Sequence, residues 1–158
     1  MRTEEALLRL IVNTARDDER IRAAYLEGSR ANRAAPRDLF QDYDVVYIVT
    51  TTRPFIEDRA WIDRFGERLA MQLPEENPLY PSEPDACYSW PIQLADGVRL
   101  DLHVCTADYA LANLELYRIL LDKDGVLPPP AETTDARYHV RRADAAQFEA
   151  AARTSGGA

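Results

Sequence analysis

The sequence predicts an α+β fold, a mixed β-sheet with flanking helices, and three observations carry that expectation. Residues 45–49 (VVYIV) are apolar and largely β-branched, the composition of a buried strand. Asp96-Gly97 lies between two strand-like segments, Tyr88 to Leu94 and Val98 to Val104, in the manner of a hairpin turn. Between the strand signals run stretches whose apolar residues recur at steps of three and four, the spacing of amphipathic helices.

Thr3 is placed to cap a first helix, with Ala6, Leu7, Leu10, Ile11 and Thr14 on one side. Ile21 to Leu26 reads as a short strand that breaks at Gly28-Ser29. Residues 30–41 are polar, contain Pro36, and read as loop with a partial helical turn. Asp42 to Thr50 is then a buried strand. Beyond Pro54, the spacing of Trp61, Ile62, Phe65 and Leu69 predicts a helix from about Asp58 to Gln72. Pro74, Pro78, Pro81 and Pro84 make the next segment an irregular connection.

In the second arm of the hairpin Val98, Leu100, Leu102 and Val104 alternate with Arg99, Asp101 and His103, so one side faces the core and the other is polar. Pro91 pushes the first arm, with Trp90, toward a sheet edge. Thr106 caps a helix covering Leu111, Leu114 and Tyr117. Ile119 to Leu121 is a short strand ending in the turn Asp122-Lys123-Asp124-Gly125. Pro128-Pro129-Pro130 is a stiff break, 143–152 a last short helix, and RTSGGA at the end a disordered stretch. The expected order is α-β-β-α-β-β-α-β.

At 158 residues, 46% hydrophobic and 29% charged, the chain suits one soluble domain with a real core. Such a domain buries roughly two-thirds of the surface its unfolded chain exposes. Cys87 and Cys105 form no metal-ligand spacing and read as free thiols of a reducing compartment. The apolar stretch Leu7 to Val12 is broken by Arg9 and is too short for a signal core or a membrane span, so a cytoplasmic protein without a membrane partner is expected. The net charge of −8, from 27 acidic and 19 basic residues, repels phosphate backbones; it disfavours nucleic acid and favours a cationic partner. A homo-oligomer is compatible with all of this.

Three features point to chemistry together. Gly28-Ser29 ends a strand, Asp42-Tyr43-Asp44 opens the next one, and Asp101 lies on the polar side of a hairpin arm. Side chains alternate along a strand, so Asp42 and Asp44 share a face. Two adjacent carboxylates repel unless a cation intervenes, and carboxylate oxygens suit Mg²⁺. With Asp101 beside them, three carboxylates around two metals would make a phosphoryl- or nucleotidyl-transfer site. Gly28 lets the backbone approach an oxygen-rich ligand, Ser29 adds a hydroxyl, and Arg30 is a natural partner for a triphosphate oxygen. Gly-Ser alone is ordinarily a turn, and Asp-x-Asp alone a solvated strand start; the joint pattern is the signal. His103 and Lys123 read first as an ordinary strand histidine and an ordinary turn lysine. Trp61 and Phe65 read as packing rather than an adenine platform, and His139, Arg141 and Arg142 as solvated.

These residues resemble the signature of the DNA polymerase β-like nucleotidyltransferase superfamily. More narrowly, Arg20-Ile21-Arg22, Gly28-Ser29-Arg30 with Asn32, and FQDYDVVY at 40–47 resemble the aminoglycoside 6-adenylyltransferases, the streptomycin-modifying enzymes. So do WIDRFGE at 61–67, Met71-Gln72, Asp96-Gly97, Arg99-Leu100-Asp101-Leu102 and LLDKDG at 120–125.

The resemblance implies a polymerase β-like fold and transfer of AMP from ATP to a hydroxyl of a cationic aminoglycoside such as streptomycin. Gly28, Ser29 and Arg30 would bind nucleotide. Asp42, Asp44 and Asp101 would be catalytic and hold Mg²⁺, two ions in all, with Asp101 assisting deprotonation of the acceptor. Glu27 departs from the pattern, standing where the superfamily usually has an apolar residue. The expected organisation is a nucleotidyltransferase domain over 1–130 and a short tail over 131–158, without the family's helical carboxy-terminal domain. A nucleotide-binding remnant without turnover and a minimal transferase acting on a protein are the alternative readings.

Overall fold

The computed structural model describes residues 2–31, 42–79 and 81–130. The helix expected over 143–152, the disorder expected at 153–158 and the segment with His139, Arg141 and Arg142 lie outside them. The order is α1 (Glu4–Asp17), β1 (Ile21–Glu27), β2 (Tyr43–Val49), α2 (Arg53–Glu57), β3 (Arg68–Met71), β4 (Cys87–Leu94), β5 (Arg99–Cys105), α3 (Ala107–Ala112) and β6 (Tyr117–Asp122), with single turns of 3₁₀ helix at Gly28–Ala31, Trp61–Phe65 and Pro74–Glu76. The strands form one mixed sheet in the order β3-β4-β5-β2-β1-β6. All neighbours are antiparallel except β2 and β5, which run parallel. The α+β class and the mixed sheet agree with the expectation.

α1 begins where the sequence places it. The Thr3 side chain accepts a hydrogen bond from the Ala6 amide, and Glu4 and Glu5 lie in the first turn, where the helix dipole favours them. Its buried side, Leu7, Ile11, Thr14 and Ala15, packs on the sheet. The Tyr47 hydroxyl reaches across to donate to the Ile11 carbonyl at 2.7 Å.

Alternation divides the sheet into two faces with different work. Tyr43, Val45, Tyr47 and Val49 of β2, Tyr88 and Trp90 of β4, and Leu100, Leu102 and Val104 of β5 join one large core beneath α1 and α2. Val46 and Ile48, with Tyr25, Cys105, Ala110 and Tyr117, form a smaller core on the other face. Asp44, Asp101 and His103 belong to that second face by strand parity.

Between Asp58 and Gln72 the structure corrects the expected helix. Only Trp61–Phe65 is helical, as a single 3₁₀ turn, and Arg68–Met71 is an edge strand paired with β4. Gly66, at φ 132°, ends the turn, and no right-handed helix continues through that conformation. Leu69, expected on the apolar side of the helix, is 71% exposed. Trp61 and Phe65 are nonetheless core residues. Trp61 packs edge-on against Phe55 at 5.0 Å and Phe65 at 5.6 Å, and lies 5.5 Å from Trp90 between ring centres.

Two further expectations are corrected. β4 is an interior strand, not an edge; Pro91 is accommodated because β3 stops at Met71 opposite Ile92, so no neighbouring strand needs a proton from Pro91 nitrogen. The Pro91 carbonyl still accepts from the Gln72 amide at 3.0 Å. The helix after Thr106 ends at Ala112, with the Asn113 side chain donating to the Tyr109 carbonyl, so Tyr117 opens β6. Lys123 turns its ammonium onto the Asp18 carbonyl at 3.0 Å, tying the end of β6 to that of α1. No helix among the described residues is long and apolar enough to cross a membrane.

The aromatic cluster sets a stability contrast. Trp61→Ala should cost about 3–5 kcal/mol, as large-to-small changes in a packed core do. Leu69→Thr should stay within about 0.5 kcal/mol, as exposed substitutions do. Urea unfolding of both variants checks this; similar losses would contradict the strand at 68–71.

Candidate functional site

The site lies where the ends of three strands meet on the second face. Asp44 is opposite Asp101 in the parallel pairing of β2 with β5, and opposite Glu27 in the antiparallel pairing with β1. β1 runs directly into the 3₁₀ turn Gly28–Ala31. Gly28 adopts φ 71°, and a Cβ built there would lie 2.5 Å from Asp44 Oδ2. Glycine is required here twice over, by backbone conformation and by the carboxylate pressed against it.

The electrostatics are those of crowded acids. Burial, then the neighbouring Asp101 carboxylate and a hydrogen bond with it, push the Asp44 carboxyl up to about 6. Glu27 is pushed up to about 7, chiefly by burial, with Glu115 and Asp44 adding to it and His103 opposing. Burial alone would lower His103. Its hydrogen bond to Cys87 and the nearby Glu27 and Asp44 outweigh burial and hold it above its ordinary value.

Asp42 stands just before β2. Its Oδ1 lies 3.4 Å from Arg99 Nε, yet that buried oxygen accepts no hydrogen bond. Asp42 also adds to the field that raises Asp44. A carboxylate-only donor set with an unsatisfied buried oxygen fits a hard cation in chemistry. Among the described residues, however, no three His, Cys, Asp or Glu side chains converge into a ready-made metal cage.

The structure divides the set Gly28, Ser29 and Arg30. Gly28 touches the site, and Ser29 follows it in the turn. Arg30 does not join them. It is buried, its guanidinium lies 4.2 Å over the ring of Tyr43, and it pairs with Glu4 Oε1 at 3.5 Å. Tyr43 belongs to the large core on the opposite face from Asp44, so these contacts set the Arg30 guanidinium against that core rather than beside Asp44.

Beside the carboxylates opens a cleft of about 590 Å³, lined by Glu75, Ser82, Glu83, Cys87, Ser89 and His103 among others. His103 is two residues along β5 from Asp101, on the same side. Glu75 is brought in by the turn Pro74–Glu76; its Oε1 accepts from the Ser89 hydroxyl at 2.6 Å, and its Oε2 is buried without a hydrogen bond. The sequence alone assigns no site role to Glu27, Glu75 or Cys87, although Glu27 stands out as a departure from the superfamily pattern and Cys87 as a free thiol. Glu27 was detectable as an acid in an apolar position next to Gly28. Glu75 carries no local signal, because a proline-rich connection delivers it.

The solved structure of an aminoglycoside 6-adenyltransferase from Bacillus subtilis superposes with a TM-score of 0.65 at 33% identity, covering 97% of this chain and 52% of that one. The sheet is thus that of a nucleotidyltransferase fold. Two curated relatives, the aminoglycoside 6-adenylyltransferases of Bacillus subtilis and Campylobacter jejuni, are 39% and 36% identical over 94% of this chain. The streptomycin adenylyltransferase family model matches residues 1–154, and the chain belongs to that family. It spans about half the length of the curated relatives it matches, 54% and 52%.

The Gly28 contact gives a controlled test. Gly28→Ala and Gly125→Ala both place a side chain at positive φ, at a cost of about 1–2 kcal/mol. Gly125 has nothing within 4 Å of its would-be Cβ, whereas Gly28 meets Asp44. Gly28→Ala should therefore lower the urea midpoint more than Gly125→Ala, and equal losses would mean that Asp44 does not press on the turn.

Proposed function

We propose that this chain carries the adenylyl-transfer site of an enzyme that moves AMP from ATP to a hydroxyl of a polycationic aminoglycoside such as streptomycin. The observation that carries the reading is the register of Asp44 against Asp101 on parallel strands, with the Gly28 turn closed down on Asp44. Family membership supports an adenylyltransferase role. The names of the relatives support the acceptor class. So do the carboxylates of Glu75 and Glu83 in the adjoining cleft, since such a surface attracts ammonium and guanidinium groups.

In this reading the backbone of Gly28 and Ser29 cradles the triphosphate, because a glycine at this turn leaves room for phosphate oxygens. Asp42, Asp44 and Asp101 would hold Mg²⁺, two ions in all, which when bound supplies charge neutralisation on the phosphates. Asp101 takes the proton of the acceptor hydroxyl onto its carboxylate. The freed oxygen attacks the α-phosphorus in line, the bond to the β-phosphate oxygen breaks, and pyrophosphate leaves. The chain's own contribution is position and field: a rigid sheet fixes the carboxylates, and the cleft aligns the acceptor. The setting is cytoplasmic, where ATP is available.

Pyrophosphate release from ATP with Mg²⁺, with and without streptomycin, tests the reading. Release should depend on streptomycin, and Asp101→Asn should lower it by about 10²–10⁴-fold while leaving the circular dichroism unchanged. Undiminished turnover in that variant would remove Asp101 from the chemistry. ATP binding without release under any aminoglycoside would leave a nucleotide-binding chain and overturn the transfer itself.

A further inference from the structure

Cys87 and Cys105 are both free, and nothing in the transfer chemistry uses them. They are direct partners across the β4–β5 hairpin. The hairpin's backbone bonds include Leu94 to Val98 and Thr106 to Ala86. Hydrogen-bonded and non-hydrogen-bonded pairs alternate, so Cys87 and Cys105 form a non-hydrogen-bonded pair, the kind in which Cα atoms approach to about 4.5 Å. That separation lies within the roughly 4.4–6.8 Å that a disulfide spans. Directly opposed residues also point to the same face, so both sulfurs lie on the cleft side of the sheet.

The two thiols are not equivalent. Cys87 lines the cleft and is half-buried; Cys105 is buried in the smaller core. Cys87 hydrogen-bonds to Cys105 first and His103 second, and these bring its thiol down to about 6 against the opposing effect of burial. Cys105 is held up, by the hydrogen bond to Cys87 and then by burial. An accessible thiolate with a protonated thiol beside it is the arrangement of a reactive cysteine and its resolving partner.

We propose that Cys87 and Cys105 form a peroxide-reactive thiol pair in the wall of the cleft, with Cys87 the attacking sulfur and Cys105 the resolving one. The Cys87 thiolate attacks one oxygen of hydrogen peroxide; the O–O bond breaks, the departing hydroxide takes a proton to become water, and Cys87 is left as sulfenic acid. The Cys105 sulfur then displaces the hydroxyl from Cys87 sulfur. A second water leaves with the Cys105 proton, and the S–S bond closes. In sum two thiols are oxidised by two electrons and one peroxide is reduced to two waters. The disulfide removes the thiolate that accepts from His103, two residues from Asp101, and pins β4 to β5 beside the cleft. A thiol reductant reverses it.

Peptide mapping tests the pair on the whole chain. Trypsin cuts after Arg68, Arg99 and Arg118, so Cys87 and Cys105 fall in separate peptides, 69–99 and 100–118. After treatment with one equivalent of hydrogen peroxide and alkylation, these two peptides should appear joined, two hydrogens lighter than their sum, with both alkylatable thiols lost. Dithiothreitol should restore them. In Cys105→Ser, peptide 69–99 should instead carry a dimedone adduct at Cys87. Both cysteines still alkylated in the wild-type chain, a disulfide between two chains, or a dimedone adduct at Cys105 in Cys87→Ser with none at Cys87 in the reciprocal variant would overturn the proposal. The wild-type map needs no substitution, so a variant that fails to fold does not rescue it.

Discussion

The parallel pairing of β2 with β5 is the constraint on which the rest of the molecule depends. Parallel neighbours cannot be joined by a tight turn; the chain must leave one end and return to the other. Here the return runs through α2, the Trp61 turn, β3 and β4, and each of these either covers the large core or widens the sheet. The same excursion brings Glu75 and Cys87 round to the second face. The register Asp44 to Asp101 is thus obtained together with a packed layer behind it and a cleft beside it.

The two faces explain how a sheet tolerates so many buried acids. On the α1 side every strand contributes apolar residues, and burial there supplies stability. On the other side Glu27, Asp44 and His103 are shifted by their charged neighbours, with Asp101 raising Asp44. Partly buried carboxylates in contact are unfavourable in themselves, and the apolar face compensates for them. That separation of roles follows from the period of two along each strand.

The sequence makes legible what is determined locally. Alternation in 98–104 and Asp96-Gly97 define the hairpin, β-branched residues define β2, and Thr3 defines the start of α1, all in keeping with the structure. Where distant contacts decide, local signals mislead. Trp61 and Phe65 have helical spacing, but a single 3₁₀ turn satisfies it, and Gly66 then releases the chain into an edge strand. Pro91 suggests an edge until one sees that its neighbour strand stops one residue short. At the site, Gly28, Asp44 and Asp101 come together as their types suggest. Arg30 lies over the Tyr43 ring and pairs with Glu4, contacts that residues distant in the chain supply and no local signal announces. His103 shares the polar side of β5 with Asp101 as the alternation suggests, whereas Glu75 acquires its place only from the tertiary fold.

The aromatic cluster beneath the sheet has an optical consequence. The chain contains two tryptophans, Trp61 and Trp90, and their rings lie 5.5 Å apart on the face away from the cleft. All indole emission therefore arises from one buried place, and the two chromophores are close enough to couple. Trp90 pairs with Leu102, between Asp101 and His103 on the adjoining strand. Light emitted by this protein reports on the back wall of β5, so a molecule entering the cleft registers in the spectrum only by what it does to the strand that separates them.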